Sequence, residues 1–470
     1  MESWKEQKGE KGIKGKKATG MRNFLFVKFA LRFLGIGSKT HSTARLSLLG
    51  AALGIGISIV PLVVTLVVTD GMVQGISNRT VELGTGQAQV VNVQPRSYSS
   101  DCKDEIAIKE MLREDMQDSF FCDAWVQREG QGLLVGKKGR SGGVIRAIDG
   151  EFFTENKRAK GLMTIIAGEP TLKLKNSIVL GKKIAEKLSL GVGDVCRLIT
   201  LRENHEGKKV PKVSVFTVEA IISSGYQELD ALWMFIPLSS GLEILSGYSA
   251  IDSVLISTEN PFDIVRFDSF LNKVQTKMLL MENIPQSFEI YTWRELNRGL
   301  FYSFTTTKNL ILFIVFLITL VASINISHAL VMLVMERRAE IAILKATGAS
   351  PTFITLCFLT AGFFTSFLGL TLALPFGVLI SIHINEILKT FENVLNAFFY
   401  YSAYFFGGVQ EYSQMHLLDP AYYLEEIPVT LDFYELYFVA FITLALSFIV
   451  SLVPAIKAGR EKPLLIMRKI

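Results

Sequence analysis

From Asn309 to Pro351 the chain reads NLILFIVFLITLVASINISHALVMLVMERRAEIAILKATGASP, an apolar block that ends abruptly in charge and then resumes. Its first 27 residues, Asn309 to Met335, hold no Asp, Glu, Lys or Arg. About 20 helical residues at 1.5 Å each cross a hydrocarbon core of roughly 30 Å, so the block is long enough to span a bilayer. The charges that follow, Glu336, Arg337, Arg338, Glu340 and Lys345, are interrupted by Ile341 and Leu344, three apart and hence on one helical face. Gly348 supplies a C-terminal stop, and Ser350 before Pro351 is an N-cap and N1 pair that opens the next apolar block. The spacing predicts a short separate helix between two spans.

Two further uncharged blocks, Leu46–Val68 and Leu436–Ile456, join Asn309–Met335 and Pro351–Ile382 to make four spans. A chain that is 49% hydrophobic yet 20% charged, with a mean hydropathy of +0.35, fits such a hybrid of membrane and aqueous parts. Orientation follows from where the charge sits. Residues 1–46 hold eleven Lys and Arg against three Glu, whereas Thr390–Asp432 holds six acids and no Lys or Arg. The positive-inside rule puts the first segment in the cytoplasm and the second outside, with both termini inside. The expected layout is a disordered basic tail over 1–20, an interfacial cytoplasmic helix over 21–45 and spans over 46–69, 308–335, 351–384 and 433–456. An extracytoplasmic domain occupies 70–307, a cytoplasmic helix 336–350, an external loop with an aromatic interfacial hairpin 385–432, and a cytoplasmic tail 457–470. Gly50, Gly54 and Gly56 in span one form a small-residue pattern suited to packing within the bundle. Asn325 and His328, the polar exceptions in span two, are expected to hydrogen-bond between helices.

The external segment reads as mixed α/β. Strand patterns fall at Gln89–Val93, Ser177–Leu180, Val195–Leu201, Val213–Ile222 and Ser253–Ser257, and helical ones at Asp104–Arg113, Lys182–Leu190 and Phe262–Met281. The charged stretch Leu201–Val213 between two strand patterns reads as a hairpin loop. Cys102 and Cys122 either pair in an oxidising compartment or remain free thiols; their separation in sequence does not decide.

Gly35-Ile-Gly-Ser-Lys-Thr40 lacks the glycine before the lysine that a phosphate loop needs, and no strand precedes it. No zinc-helix motif or Cys/His cluster with metal spacing occurs, so neither a catalytic residue nor a metal ligand is expected. With no Asp, Glu, Lys or Arg inside the four apolar blocks, an ion pathway is not expected either.

The run from Asn325 through Glu336-Arg-Arg-Ala-Glu-Ile-Ala-Ile-Leu-Lys-Ala-Thr-Gly-Ala-Ser350 resembles the span-two exit and coupling helix of the FtsX/MacB-type ABC permeases. Tyr422-Tyr-Leu-Glu-Glu-Ile-Pro-Val429 and Pro454-Ala-Ile-Lys-Ala-Gly-Arg460 sharpen the likeness to the lipoprotein-releasing branch, the LolC/LolE family. Val68-Thr-Asp-Gly-Met72, Glu129-Gly-Gln-Gly-Leu-Leu134 and Gly143-Val-Ile-Arg-Ala-Ile-Asp149 agree. The resemblance implies a membrane protein of four transmembrane α-helices, with a large α/β extracytoplasmic domain, a MacB-like periplasmic core domain, between the first two. It implies a permease without an ATP site, bound as a pair with a second copy or paralogue to two copies of a separate ABC ATPase that carries ATP and Mg. The pair would extract lipoproteins from the inner membrane and deliver them to a periplasmic chaperone.

By the same resemblance, Glu336, Arg337, Arg338, Glu340, Ile341, Leu344 and Gly348 form the ATPase-coupling element. Val67, Thr69, Asp70, Met72, Phe304, Leu310, Phe313, Tyr422 and Tyr423 line a substrate cavity. The hairpin bearing Arg202, Glu203, Asn204, His205, Lys208 and Pro211 occupies the position of a chaperone-binding element. Two alternatives stay open on the sequence: a four-span exporter of drugs or peptides, and a transmembrane regulator of a cell-wall hydrolase.

Overall fold

A computed structural model of the chain describes residues 43–93, 101–116, 118–203, 209–245, 250–281, 287–406, 424 and 426–461. The basic tail expected over 1–20, nearly all of the interfacial helix over 21–45 and the tail beyond 461 lie outside the described residues. The chain divides into two compact units. One comprises Met1–Gly71, Thr306–Ile387 and Val429–Ile470; the other comprises Met72–Thr305 and Leu388–Pro428.

Among the described residues, four helices are long and apolar enough to cross a membrane. They run Thr43–Arg79, Arg298–Glu336, Pro351–Ile382 and Phe433–Arg460, referred to below as spans one to four. Spans one and two overrun their apolar blocks, because a helix ends where capping or tertiary contacts stop it and not where hydropathy falls. Span one passes directly into a π-helical turn, Thr80–Thr85.

Lipid is as apolar as leucine, so association of the spans rests on close packing and not on escape from water. The structure puts most of the glycines that allow it in span three. A Cβ on Gly369 would lie 2.6 Å from the Ala52 carbonyl oxygen, one on Gly377 would lie 2.9 Å from Val63, and one on Gly362 would lie 2.7 Å from Ser451 Oγ. The small-residue pattern expected to pack span one does not do so: Gly50 and Gly54 face open space, and Gly56 merely lies under Gly369. Asn325 and His328 are likewise exposed, and the buried polar line is made instead by Thr319, Ser323, Thr443 and Ser447, with Ser323 and Ser447 hydroxyls 3.4 Å apart between spans two and four. Apolar side chains fill the centre, among them Ile55 and Val63 of span one, Ile326 and Leu330 of span two, Ile354 and Phe358 of span three and Ala455 of span four. A second seam joins Leu62 and Leu66 to Val315 and Val439.

Among the described residues of the other unit is a mixed sheet of ten strands: β1 (Ala88–Asn92), β2 (Phe121–Val135), β3 (Arg140–Ile148), β4 (Thr164–Gly168), β5 (Ser177–Gly181), β6 (Val195–Glu203), β7 (Lys209–Ser223), β8 (Trp233–Pro237), β9 (Ile251–Thr258) and β10 (Phe288–Thr292). The order is β10-β1-β9-β2-β3-β8-β5-β7-β4, and β6 pairs with both β2 and β7. That double pairing closes β2, β3, β8, β5, β7 and β6 into a ring, which abolishes free edges over its length. Leu134, Ile145, Ile178, Leu180, Leu198, Phe216, Met234 and Ile236 fill it. On the open arm, helices Lys103–Asp115 and Ile264–Leu279 supply Ile108, Leu112, Phe267, Phe270 and Val274 to a core with Val90 and Val254.

Strands β2 and β3 escaped the sequence reading because glycines and charges break their alternation. The glycines are required by close approach: a Cβ on Gly143 would lie 2.5 Å from the Leu232 carbonyl oxygen. Arg146 of β3 is fully buried, donating to Gln127 Oε1 and to the Leu83 carbonyl of the π-helical turn, and burial lowers its guanidinium to about 10. Cys102 and Cys122 are both free, the former buried and the latter exposed.

Of the segment 385–419, read from sequence as an aromatic hairpin, the structure describes the first part alone. A helix, Ile384–Phe406, follows span three after His383, and residues 407–423 lie outside the described set. Aromatic residues at Phe398, Phe399, Tyr400 and Tyr401 gave no turn signal; Leu, Glu, Lys and Ala in the same stretch favour helix.

Candidate functional site

Between spans two and three a helix, Arg338–Ala346, carries Glu340 in its first turn and Lys345 in its last, each at the end where the helix dipole favours its sign. Gly348 adopts φ +100, which ends the helix, and the Ser350 side chain accepts from Phe353 N at 3.2 Å to start span three. Arg337 pairs with Glu340 at 2.5 Å. Arg338 pairs with Glu461 at 2.7 Å, and Lys345 Nζ donates to the carbonyls of Gly459 and Glu461, both at 2.6 Å. The helix is thus tied to the end of span four.

Ile341 needs correction as a partner contact. It is 0% exposed and belongs to the central bundle core, with Leu344 packed against the same cluster. The apolar pair seen in the sequence therefore holds the helix to its own bundle. The outward face is Arg338, Ala339, Glu340, Ile343 and Ala346, with Ile343 60% exposed. Ile343 was missed because periodicity identifies an apolar stripe without saying which side is already occupied.

At the other ends of the spans the expected cavity residues fall in different places. Val67 is buried in the bundle core, while Leu310 and Phe313 are 59% and 60% exposed on span two. Thr69 is half-buried. Asp70 accepts from Lys308 Nζ at 3.1 Å, and Lys308 also pairs with Glu435 of span four. Neither Lys308 nor Glu435 was singled out from sequence, since each flanks an apolar block and reads locally as an ordinary end charge. In the second unit, Met72 is buried and Phe304 stands edge-on to Phe301 at 6.1 Å. Tyr422 and Tyr423 lie outside the described residues.

The hairpin is the third element. Strands β6 and β7 pair from Val195 with Thr217 to Glu203 with Lys209, but β2 accompanies β6 only as far as Thr200. The pairs beyond, Leu201 with Pro211, Arg202 with Val210 and Glu203 with Lys209, run clear of β2. Asn204, His205 and Lys208 lie outside the described residues, as do the side chains of Arg202 and Glu203. Pro211 is exposed, and so are Leu201, Val210, Val213 and Val215, an apolar row not anticipated from the charged loop. No cluster of His, Cys, Asp or Glu suited to a metal occurs among the described residues.

Four spans, a sheet domain inserted between the first two and a short charged helix between the second and third define a multi-pass membrane subunit of permease type. The family model for the MacB-like periplasmic core domain matches residues 48–268, and that for the FtsX-like permease C-terminal region matches 312–409. The lipoprotein-releasing system transmembrane protein LolC of Xylella fastidiosa (strain Temecula1) is 23% identical over 94% of this chain and 98% of its own length. LolC of Neisseria meningitidis serogroup B is 26% identical over 61% of this chain and 63% of its own length, and LolE of Haemophilus influenzae is 24% identical over 62% and 64%. The periplasmic region of MacB from Actinobacillus actinomycetemcomitans aligns with 46% of this chain and 93% of its own at 14% identity, with a TM-score of 0.29. These matches support the LolC/LolE family of FtsX/MacB-type permeases for this chain.

Proposed function

We propose that this chain is the permease subunit of an ATP-driven complex that draws lipoproteins out of the inner membrane and passes them to a periplasmic chaperone. The carrying observation is the match to a lipoprotein-releasing LolC over 94% of this chain and 98% of that protein. Drug export and hydrolase regulation are not favoured, since the relatives matched along the chain bear lipoprotein-releasing names.

The physical task is withdrawal of acyl chains from lipid. At about 0.8 kcal/mol per methylene, one long acyl chain costs on the order of 10 kcal/mol, so the work requires coupling to nucleotide hydrolysis. In this reading ATP and Mg sit on two copies of a separate ATPase. The helix Arg338–Ala346 meets that partner through Glu340 and Ile343, with Arg337 orienting Glu340. A stroke there reaches the bundle through Ile341, and span four through Arg338 and Lys345. Termini and coupling helix are cytoplasmic, and the sheet domain is periplasmic. Leu310 and Phe313 form the apolar surface that receives acyl chains beside a second permease copy or paralogue. The free end of the β6–β7 hairpin receives the chaperone, its clear edges suited to strand addition.

Reconstitution of the chain with its ATPase in proteoliposomes loaded with a lipoprotein tests the reading: ATP-dependent transfer to soluble chaperone is expected, and its absence from an assembled, hydrolysing complex refutes it. Replacing Arg202–Lys212 by a short Gly-containing turn should abolish chaperone capture; retained capture assigns delivery to the partner permease.

A further inference from the structure

Near the outer ends of the spans, three charged side chains from three helices meet. Asp70 lies near the end of the apolar part of span one, Lys308 at the start of that of span two and Glu435 at the start of span four. Lys308 Nζ lies 3.1 Å from Asp70 Oδ1 and also pairs with Glu435 Oε1. Both carboxylates are largely buried, with side-chain exposures of 18% and 16%. One to two helical turns further along each helix, Leu66, Ile311, Leu312, Val315 and Val439 form the apolar seam between the same three spans. The charges cap that seam.

The consequence concerns rotation of span two. Successive helical residues turn by about 100°, so with Lys308 held inward, Leu310 lies about 160° away and Phe313 about 140° away around the helix. Both are directed off the seam, where they are 59% and 60% exposed. Apolar packing alone fixes such a phase poorly in lipid, because one apolar face exchanges for another at little cost. A lysine shared by two buried carboxylates fixes it, since turning the helix strips charges of their partners.

We propose that Lys308 is a positioning residue: clasped by Asp70 and Glu435, it sets the rotation of span two that presents Leu310 and Phe313 to the acyl chains of the substrate. The assignment rests on the lipoprotein reading above, and its test separates the two. Photo-crosslinking side chains are placed at Leu310 or Phe313 of the full complex in proteoliposomes containing lipoprotein. Lys308→Met should reduce capture several-fold, toward that of lipid-facing Phe441 and Ile449 of span four, and Lys308→Arg should restore it. Capture undiminished in Lys308→Met overturns the positioning role.

A second measurement does not depend on substrate. Spin labels at Thr65 of span one and Phe313 of span two, in a Cys122→Ser background, should give a narrow distance distribution for the parent and for Lys308→Arg. The distribution should broaden and shift for Lys308→Met. An unchanged distribution overturns the clasp, whereas a broadened one with no lipoprotein capture by the parent leaves the clasp standing and removes the lipoprotein reading. Where Lys308→Met fails to accumulate, the charge-matched triple variant Asp70→Asn, Lys308→Met, Glu435→Gln removes the clasp without stranding a buried charge, and it should broaden the distances in the same way.

Discussion

Two isoleucines in one short helix offer a sharp contrast. Ile341 is 0% exposed and Ile343 is 60% exposed, although both belong to Arg338–Ala346. Truncating Ile341 to Ala removes three buried carbons, about 2.4 kcal/mol in transfer alone, and the cavity left among the core residues raises this to about 3–4 kcal/mol. Ile343→Ala removes side-chain surface that is already mostly in water, so its cost stays below about 1 kcal/mol. Thermal unfolding of the detergent-solubilised chain should therefore drop clearly for Ile341→Ala and hardly move for Ile343→Ala. Association with the partner ATPase, measured by co-purification at matched permease levels, should follow the opposite order. Equal thermal shifts, or loss of association with Ile341→Ala alone at full stability, would refute the division of the helix into an anchoring and a docking face.

Gly459→Ala would put a methyl 2.7 Å from the Pro351 carbonyl oxygen, forcing the end of span four from the start of span three at a cost of about 1–3 kcal/mol; a lowered melting temperature checks it. Arg146→Met leaves Gln127 Oε1 and the Leu83 carbonyl without their buried donor, at about 1–3 kcal/mol for each acceptor left unsatisfied, and hydrogen exchange should accelerate in Thr80–Thr85. The hydrogen bond from Lys273, with that from Phe120 N, holds the Asp118 carboxyl below its ordinary 3.8, so its contribution is present above that value and lost as pH falls through the folded-state value. Asp118→Asn should remove that small part of the acid unfolding limb and leave neutral-pH behaviour nearly unchanged, as expected for an exposed pair.

The sequence by itself determined the features that depend on neighbours along the chain. Hydropathy over a span length located the four crossings, and the sequence Gly348-Ala-Ser-Pro351 announced a helix stop and start whose capping contacts the structure contains. Strands such as Ser177–Gly181 were legible because all five residues are buried and apolar or small. Tertiary structure decided whatever depends on which side of an element is already covered. Ile341 and Ile343 differ only in what lies opposite them. Gly369 matters and Gly50 does not, because one faces the Ala52 backbone and the other faces nothing. The closing of the six-strand ring depends on β6 meeting β2, a pairing between Thr200 and Gly132 that no local pattern encodes. Likewise Lys308 acquires its role only when folding brings Asp70 and Glu435, remote in sequence, to the same nitrogen, because a charge at a helix end takes its meaning from its spatial partners.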